Sequence, residues 1–126
     1  MSARRGAQLL AAGRAAIGTA VLLAPEATMS RWLGSQNARH GAVRALGRGL
    51  AVRDIALALA SLQTLEDPVI GPRVLAACAL ADGVDALATL LERESLPPLG
   101  AAATVAVAGG AFLAGLACAR QLANEG

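Results

Sequence analysis

Six ionisable side chains, Arg14, Arg48, Arg53, Asp54, Asp82 and Asp85, lie inside stretches that are otherwise almost wholly apolar. On a hydrated surface they would need no account. In a hydrocarbon medium an isolated charge of this kind costs about 2.5–3.5 kcal/mol on insertion scales, so each needs an opposite charge or a polar space. Cys78, Asp82, Asp85 and Thr89 fall at i, i+4, i+7 and i+11, which places one polar stripe on an apolar helix. Two chemistries fit this set. One is a closed salt-bridge lock between helices. The other is a polar site at Asp82/Asp85 that carries protons or takes a small cationic or polar ligand. Three arginines against three aspartates favour the lock, because a near-neutral count is what a closed ion-pair core requires.

Other constellations do not assemble. His40 is the only histidine, so no histidine-based metal centre or catalytic triad can form. Asp82-x-x-Asp85 is half of an acidic metal motif with no second acidic cluster, and no metal is expected there. Gly47-Arg-Gly49 lacks the third glycine and the preceding strand of a dinucleotide fingerprint. Cys78 and Cys118 are expected as buried free thiols. The chain therefore reads as no enzyme, with no catalytic residue and no cofactor.

The elements that must position the charges follow from composition. Of 126 residues, 56% are hydrophobic and 16% charged, against about 25% charged in ordinary soluble domains. Trp32 and Phe112 are the only aromatics. This excludes a disordered chain, a disulfide scaffold and a β-sandwich. A helix that crosses a bilayer needs about 20 mostly apolar residues. Four apolar blocks meet that requirement, over residues 6–24, 42–65, 72–91 and 97–121. The last is the clearest, with 25 residues from Ser95 to Ala119 and no charge. Pro97 and Pro98 open it, where a missing N–H costs nothing. The first ends at Pro25. Arg14 interrupts it and no small-x-small cleavage site follows, so it reads as a retained helix rather than a signal peptide. Glu66-Asp67-Pro68 and Glu92-Arg93-Glu94 separate the later blocks. The break from Pro25 to Gly41 has two readings. Either residues 26–34 form a short helix in the membrane interface, with Met29, Trp32 and Leu33 on one side, or they form a loop anchored by Trp32.

The expected fold is all-α: a four-helix transmembrane bundle with an intramembrane Arg/Asp network, in one domain over 1–126, with both termini on one side. Across the bilayer, Arg14, Arg53, Asp54 and Asp82 fall near one depth, and Asp85 is level with Arg48. Arg48 is thus expected to meet Asp85, and Arg14 or Arg53 to meet Asp82 or Asp54. Arg53 and Asp54 diverge by about 100° on their helix, so that helix should touch two others. On the last helix Ala102, Ala106, Gly110, Ala114 and Cys118 recur every four residues. Such a ridge allows close helix packing, expected here within the monomer. Positive charge is evenly split between the two sides, and the Arg4-Arg5 pair points to an inside N-terminus.

All eleven basic residues are arginine, the codon habit of a GC-rich genome. They are scattered and not interleaved with aromatics, so no nucleic-acid partner is expected. Gly47-x-Gly-x-x-x-Arg53-Asp54, followed by Ala81-Asp82-x-x-Asp85-x-x-x-x-Leu90, resembles small four-helix integral membrane proteins of GC-rich actinobacteria, a domain of unknown function. The resemblance implies location and helix count and brings no activity. The expected partners are the lipid bilayer and other membrane-protein subunits or further copies of this chain. The expected place is the cell membrane, with several passes. The expected role is an accessory or scaffold subunit of a cell-envelope complex, the alternative being a minimal transporter or proton-coupled carrier. Washing membranes with alkaline carbonate should leave the protein in the pellet, and its recovery in the supernatant would overturn this architecture.

Overall fold

In the computed structural model, which describes residues 1–125, the chain is helical with no strand among those residues. Six α-helices follow in order: α1 Ala3–Leu23, α2 Pro25–Leu33, α3 Ser35–Ala38, α4 Gly41–Thr64, α5 Ile70–Leu91 and α6 Pro98–Glu125, with a 3-10 turn at Arg93–Ser95. Their ends have local causes. The Ser2 hydroxyl accepts the Arg5 N–H at 3.3 Å and caps α1. Pro25 stops α1 and occupies the first turn of α2, where it has no N–H to leave unpaired. Gly34 takes φ 90°, which breaks the chain between α2 and α3 without a Cβ penalty. Before α5, the Asp67 carboxylate accepts the N–H groups of Ile70 at 2.8 Å and Val69 at 2.9 Å. Those two bonds favour its charged form and hold it below the usual carboxylate range.

Three helices, α1, α5 and α6, are long and apolar enough to cross a membrane, with mean hydropathies of 1.4, 1.8 and 1.9. The fourth long helix, α4, has the length but carries Arg44, Arg48, Arg53 and Asp54. The long helices pack as antiparallel neighbours. α1 lies along α4 and α5 along α6 over most of their lengths, while α1 also meets α6 and α4 meets α5 more sparingly. Close crossings use glycine. A Cβ on Gly18 would stand 2.8 Å from the Ala51 carbonyl oxygen, so α1 and α4 touch there backbone to backbone. Gly115 lets Ala79 approach α6, and Gly83 receives the ring of Phe112.

The interior is built of small and polar residues. Buried positions are mostly Ala and Gly, and the largest wholly enclosed side chain is Thr89. A few large apolar residues, Met29, Leu65, Leu75 and Leu122, are buried, but many face outward: Leu80, Val84, Leu87 and Leu91 on α5, and Leu99, Val107 and Leu113 on α6. On α5 this outward stripe is the complement of the inward stripe of Cys78, Asp82, Asp85 and Thr89. A helix in water would bury its leucines. The reverse arrangement, on helices this long, marks a membrane-associated protein.

Two sequence expectations change here. The Ala102/Ala106/Gly110/Ala114 ridge does not pack inside the monomer. All four are exposed, and a Cβ on Gly110 would meet nothing within 4 Å. The α6 face that packs carries Ala101, Gly115, Cys118, Ala119 and Leu122. In a helix this rich in small residues, several faces permit close approach. The partners Ala79 on α5 and Gly6 on α1 decide which is used. Second, residues 25–33 are helical, but Met29 and Trp32 face protein rather than lipid. Met29 is buried against Gly47, and Trp32 Nε1 donates to Thr89 Oγ1 at 3.2 Å. The Gly100 backbone lies directly under the Arg31 and Trp32 carbonyls, so α2 rests across the ends of α4, α5 and α6. Replacing Gly18 with Leu should lower the thermal midpoint in detergent by forcing α1 off α4, whereas Gly110→Leu should leave the monomer's midpoint in place. Equal loss from both would contradict the packing described.

Candidate functional site

The polar interior is a chain of five charges that alternate in sign. α1 supplies Arg14 from near its middle. One guanidinium nitrogen, Nη1, reaches Asp54 Oδ1 on α4 at 3.3 Å. The other, Nη2, donates to Asp82 Oδ2 on α5 and to the Cys78 carbonyl at 3.2 Å. α4 supplies Arg53, whose Nη2 lies 3.0 Å from Asp54 Oδ1 and 2.6 Å from Asp85 Oδ2, while Nη1 donates to Asp85 Oδ1 at 3.3 Å. In sequence of contact the chain reads Asp82, Arg14, Asp54, Arg53, Asp85. It begins and ends on α5, one helical turn apart, and passes through α1 and α4 between. Planar guanidiniums suit this task, because their forked donors can hold two carboxylates at once.

Burial is uneven. The Arg14 side chain is 9% exposed and that of Asp82 15%, whereas Arg53 is 33% exposed. The Arg53–Asp85 end lies where α4 and α5 meet sparingly, and the Arg14–Asp82 end lies deep among α1, α5 and α6. The glycine crossing positions this end. Gly18 and Ala51 touch one turn beyond Arg14 and one turn before Asp54, so the α1–α4 approach sets the Arg14–Asp54 distance.

Beside the buried end is a chamber of about 10 Å³, at the limit for one water, which needs roughly 10–15 Å³. Arg14, Ser61, Cys78 and Asp82 line its polar part, with Ala111 and Gly115 of α6 closing it. Ser61 Oγ and Cys78 Sγ are 3.2 Å apart in a hydrogen bond. Both cysteines are free thiols. At the other end, Thr89 Oγ1 donates to the Asp85 carbonyl at 2.8 Å and receives the Trp32 indole N–H. Polar contacts thus run from α2 to Ser61. This chamber is too small for an organic ligand.

Of the six charges singled out by sequence, the structure brings together Arg14, Arg53, Asp54, Asp82 and Asp85. Arg48 stands outside. It is exposed, and Asp85 pairs with Arg53 instead. The physical reason is rotation about the α4 axis. Five residues separate the two arginines, about 500° of turn, so they point in different directions. The Arg53 stem is also long enough to bend its head group back to Asp54 on its own helix. The inner count is therefore two arginines to three aspartates. Ser61 carries no sequence signal, and Trp32 reads in the sequence only as an interfacial anchor, because each meets its partner across 17 and 57 residues of chain.

No family model, curated protein or solved structure matches the chain.

Arg14→Gln should cost about 3–5 kcal/mol of stability, the usual penalty for stranding one partner of a buried pair. Adding Asp82→Asn should restore part of it, because one of the carboxyl groups left without its guanidinium is then removed. Arg48→Gln should stay within about 0.5 kcal/mol of the parent, as surface changes do. Thermal unfolding in detergent reads all three. No recovery in the double variant, or an equal loss at Arg48, would remove the network from its place in the fold.

Proposed function

We propose that the chain is a four-helix transmembrane bundle of the cell membrane, in which α1, α4, α5 and α6 all cross. Its role is that of an accessory or scaffold subunit of a cell-envelope complex. α4 fails a simple hydropathy criterion only through its charges. Arg53 and Asp54 direct theirs to α1 and α5, half-buried Arg44 bonds to the Arg39 carbonyl and lies near Glu26, and the exposed Arg48 lies in the first third of the helix, where its long stem can reach the headgroups. The observation that carries the scaffold reading is the closed interior. Two guanidiniums and three carboxyl groups bond one another around a chamber of about 10 Å³, which has no room for an organic substrate. What the molecule presents is its outer surface, including the unpacked ridge Ala102, Ala106, Gly110 and Ala114. Ridges of this kind allow backbones of separate subunits to come close in lipid.

A carrier at Asp82/Asp85 has one observation in its favour, the third carboxylate. The chamber restricts its cargo to a proton. The resemblance to small actinobacterial four-helix membrane proteins agrees with the bundle and does not choose between the roles.

Size measurement by light scattering in mild detergent tests the scaffold reading. The purified protein should run as a defined oligomer or as a stoichiometric complex with another membrane protein. Gly110→Leu should dissociate it, and Leu113→Ile should not. A monomer of the same size for the parent and both variants would overturn the reading.

A further inference from the structure

We infer that the five-charge chain is a proton-binding site and that it holds one exchangeable proton on Asp82. The inference rests on the bundle being embedded in the membrane. Two guanidiniums and three carboxylates leave the chain at −1 when every group is ionised. No other charge is at hand to cancel it. The groups that face Asp82 are Arg14 from α1, Arg53, Asp54 and Ser61 from α4, and Cys78 and Asp85 on α5 itself. α6 adds Ala111 and Gly115 and has no charged side chain before Arg120. A net charge surrounded by hydrocarbon is costly, and a single proton removes it. The arginines keep theirs, since guanidinium does not deprotonate in proteins.

Geometry selects the carboxylate. Asp54 lies between both guanidiniums and accepts three N–H groups on Oδ1, from Arg14 Nη1 and from Arg53 Nε and Nη2. Asp85 is held on both oxygens by Arg53. Asp82 accepts from one guanidinium, on Oδ2 alone, and Oδ1 has no donor among the described residues. Asp82 is also the carboxylate that lines the one-water chamber. Oδ1 therefore takes a proton from water, Oδ2 keeps its bond to Arg14, and the chain passes from −1 to neutral with no other bond changed. The Ser61 hydroxyl and the Cys78 thiol can hydrogen-bond a single water that delivers the proton.

The chain has only four aspartates, Asp54, Asp67, Asp82 and Asp85, so carbon NMR of carboxyl-labelled aspartate resolves the question directly. Asp67, exposed outside the membrane segments, supplies the ionised reference. In lipid nanodiscs at pH 7, the parent should show one carboxyl signal at the protonated position and three at the ionised position. In Asp82→Asn the protonated signal should disappear and the other three stay where they are. In Asp85→Asn the chain becomes two against two, and the Asp82 signal should move to the ionised position. Four ionised signals in the parent would overturn the proton while leaving the salt-bridge lock to its own melting experiment. The reverse pattern, with Asp85→Asn deleting the protonated signal and Asp82→Asn moving it, would overturn the assignment to Asp82.

Discussion

The Asp54 carboxylate lies between two guanidiniums, and three long helices depend on that meeting. Arg14 brings α1 to it, Arg53 belongs to the same helix as Asp54, and each arginine extends the contact to α5 through Asp82 and Asp85. In hydrocarbon such pairs are strong because no water competes, and they are demanding because any unpaired member is exposed to a poor solvent. Rotating α1 or α4 by one residue would turn a charge away from its partners and onto the apolar outer face. The network thus selects one register from the many that smooth apolar helices would allow.

Everything around the network accommodates it. The guanidiniums can bridge helices only if the backbones are close, and the interior is accordingly built from Ala and Gly. Gly18 against Ala51 sets the α1–α4 distance, and Gly115 against Ala79 sets that of α5 and α6. Most leucines and valines are excluded from this narrow interior and lie exposed on the outside. Polar inside and apolar outside is therefore one decision, made by the charges and the small residues together.

The ends of the helices are tied in a different way. α2 lies across one end, fixed by Met29 against Gly47 and by the Trp32–Thr89 hydrogen bond. Thr89 in turn touches the backbone of Asp85, so this cap is in contact with the end of the charge chain. At the opposite end, Arg4 and Glu66 form a 3.1 Å pair between the start of α1 and the residues after α4. Both groups are exposed, and pairs of this kind contribute at most about 1 kcal/mol. The interior charges hold the fold, and the surface ones trim it.

Much of this was legible in the residues alone. Helix type and approximate bounds follow from apolar run length, proline placement and charge breaks, all local properties. The stripe of Cys78, Asp82, Asp85 and Thr89 follows from helical periodicity, which fixes relative direction on one helix. Pairing between helices is a different quantity. It depends on how far each helix is rotated and how closely its neighbour approaches, and depth matching cannot supply either. Depth put Arg48 level with Asp85; rotation about α4 gave that aspartate to Arg53. The repeat of small residues on α6 named a face that could pack, while Ala79 and Gly6 chose another. Met29 and Trp32 have the composition of an interfacial anchor, and only the nearness of Gly47 and Thr89 turned them into the protein. The sequence by itself determined the four long helices and named the five charges that meet, with Arg48 added wrongly to their number. The tertiary structure decided which charges meet, and so left three carboxylates to two guanidiniums, because side-chain partners in different helices are set by rotation and spacing that no single helix encodes.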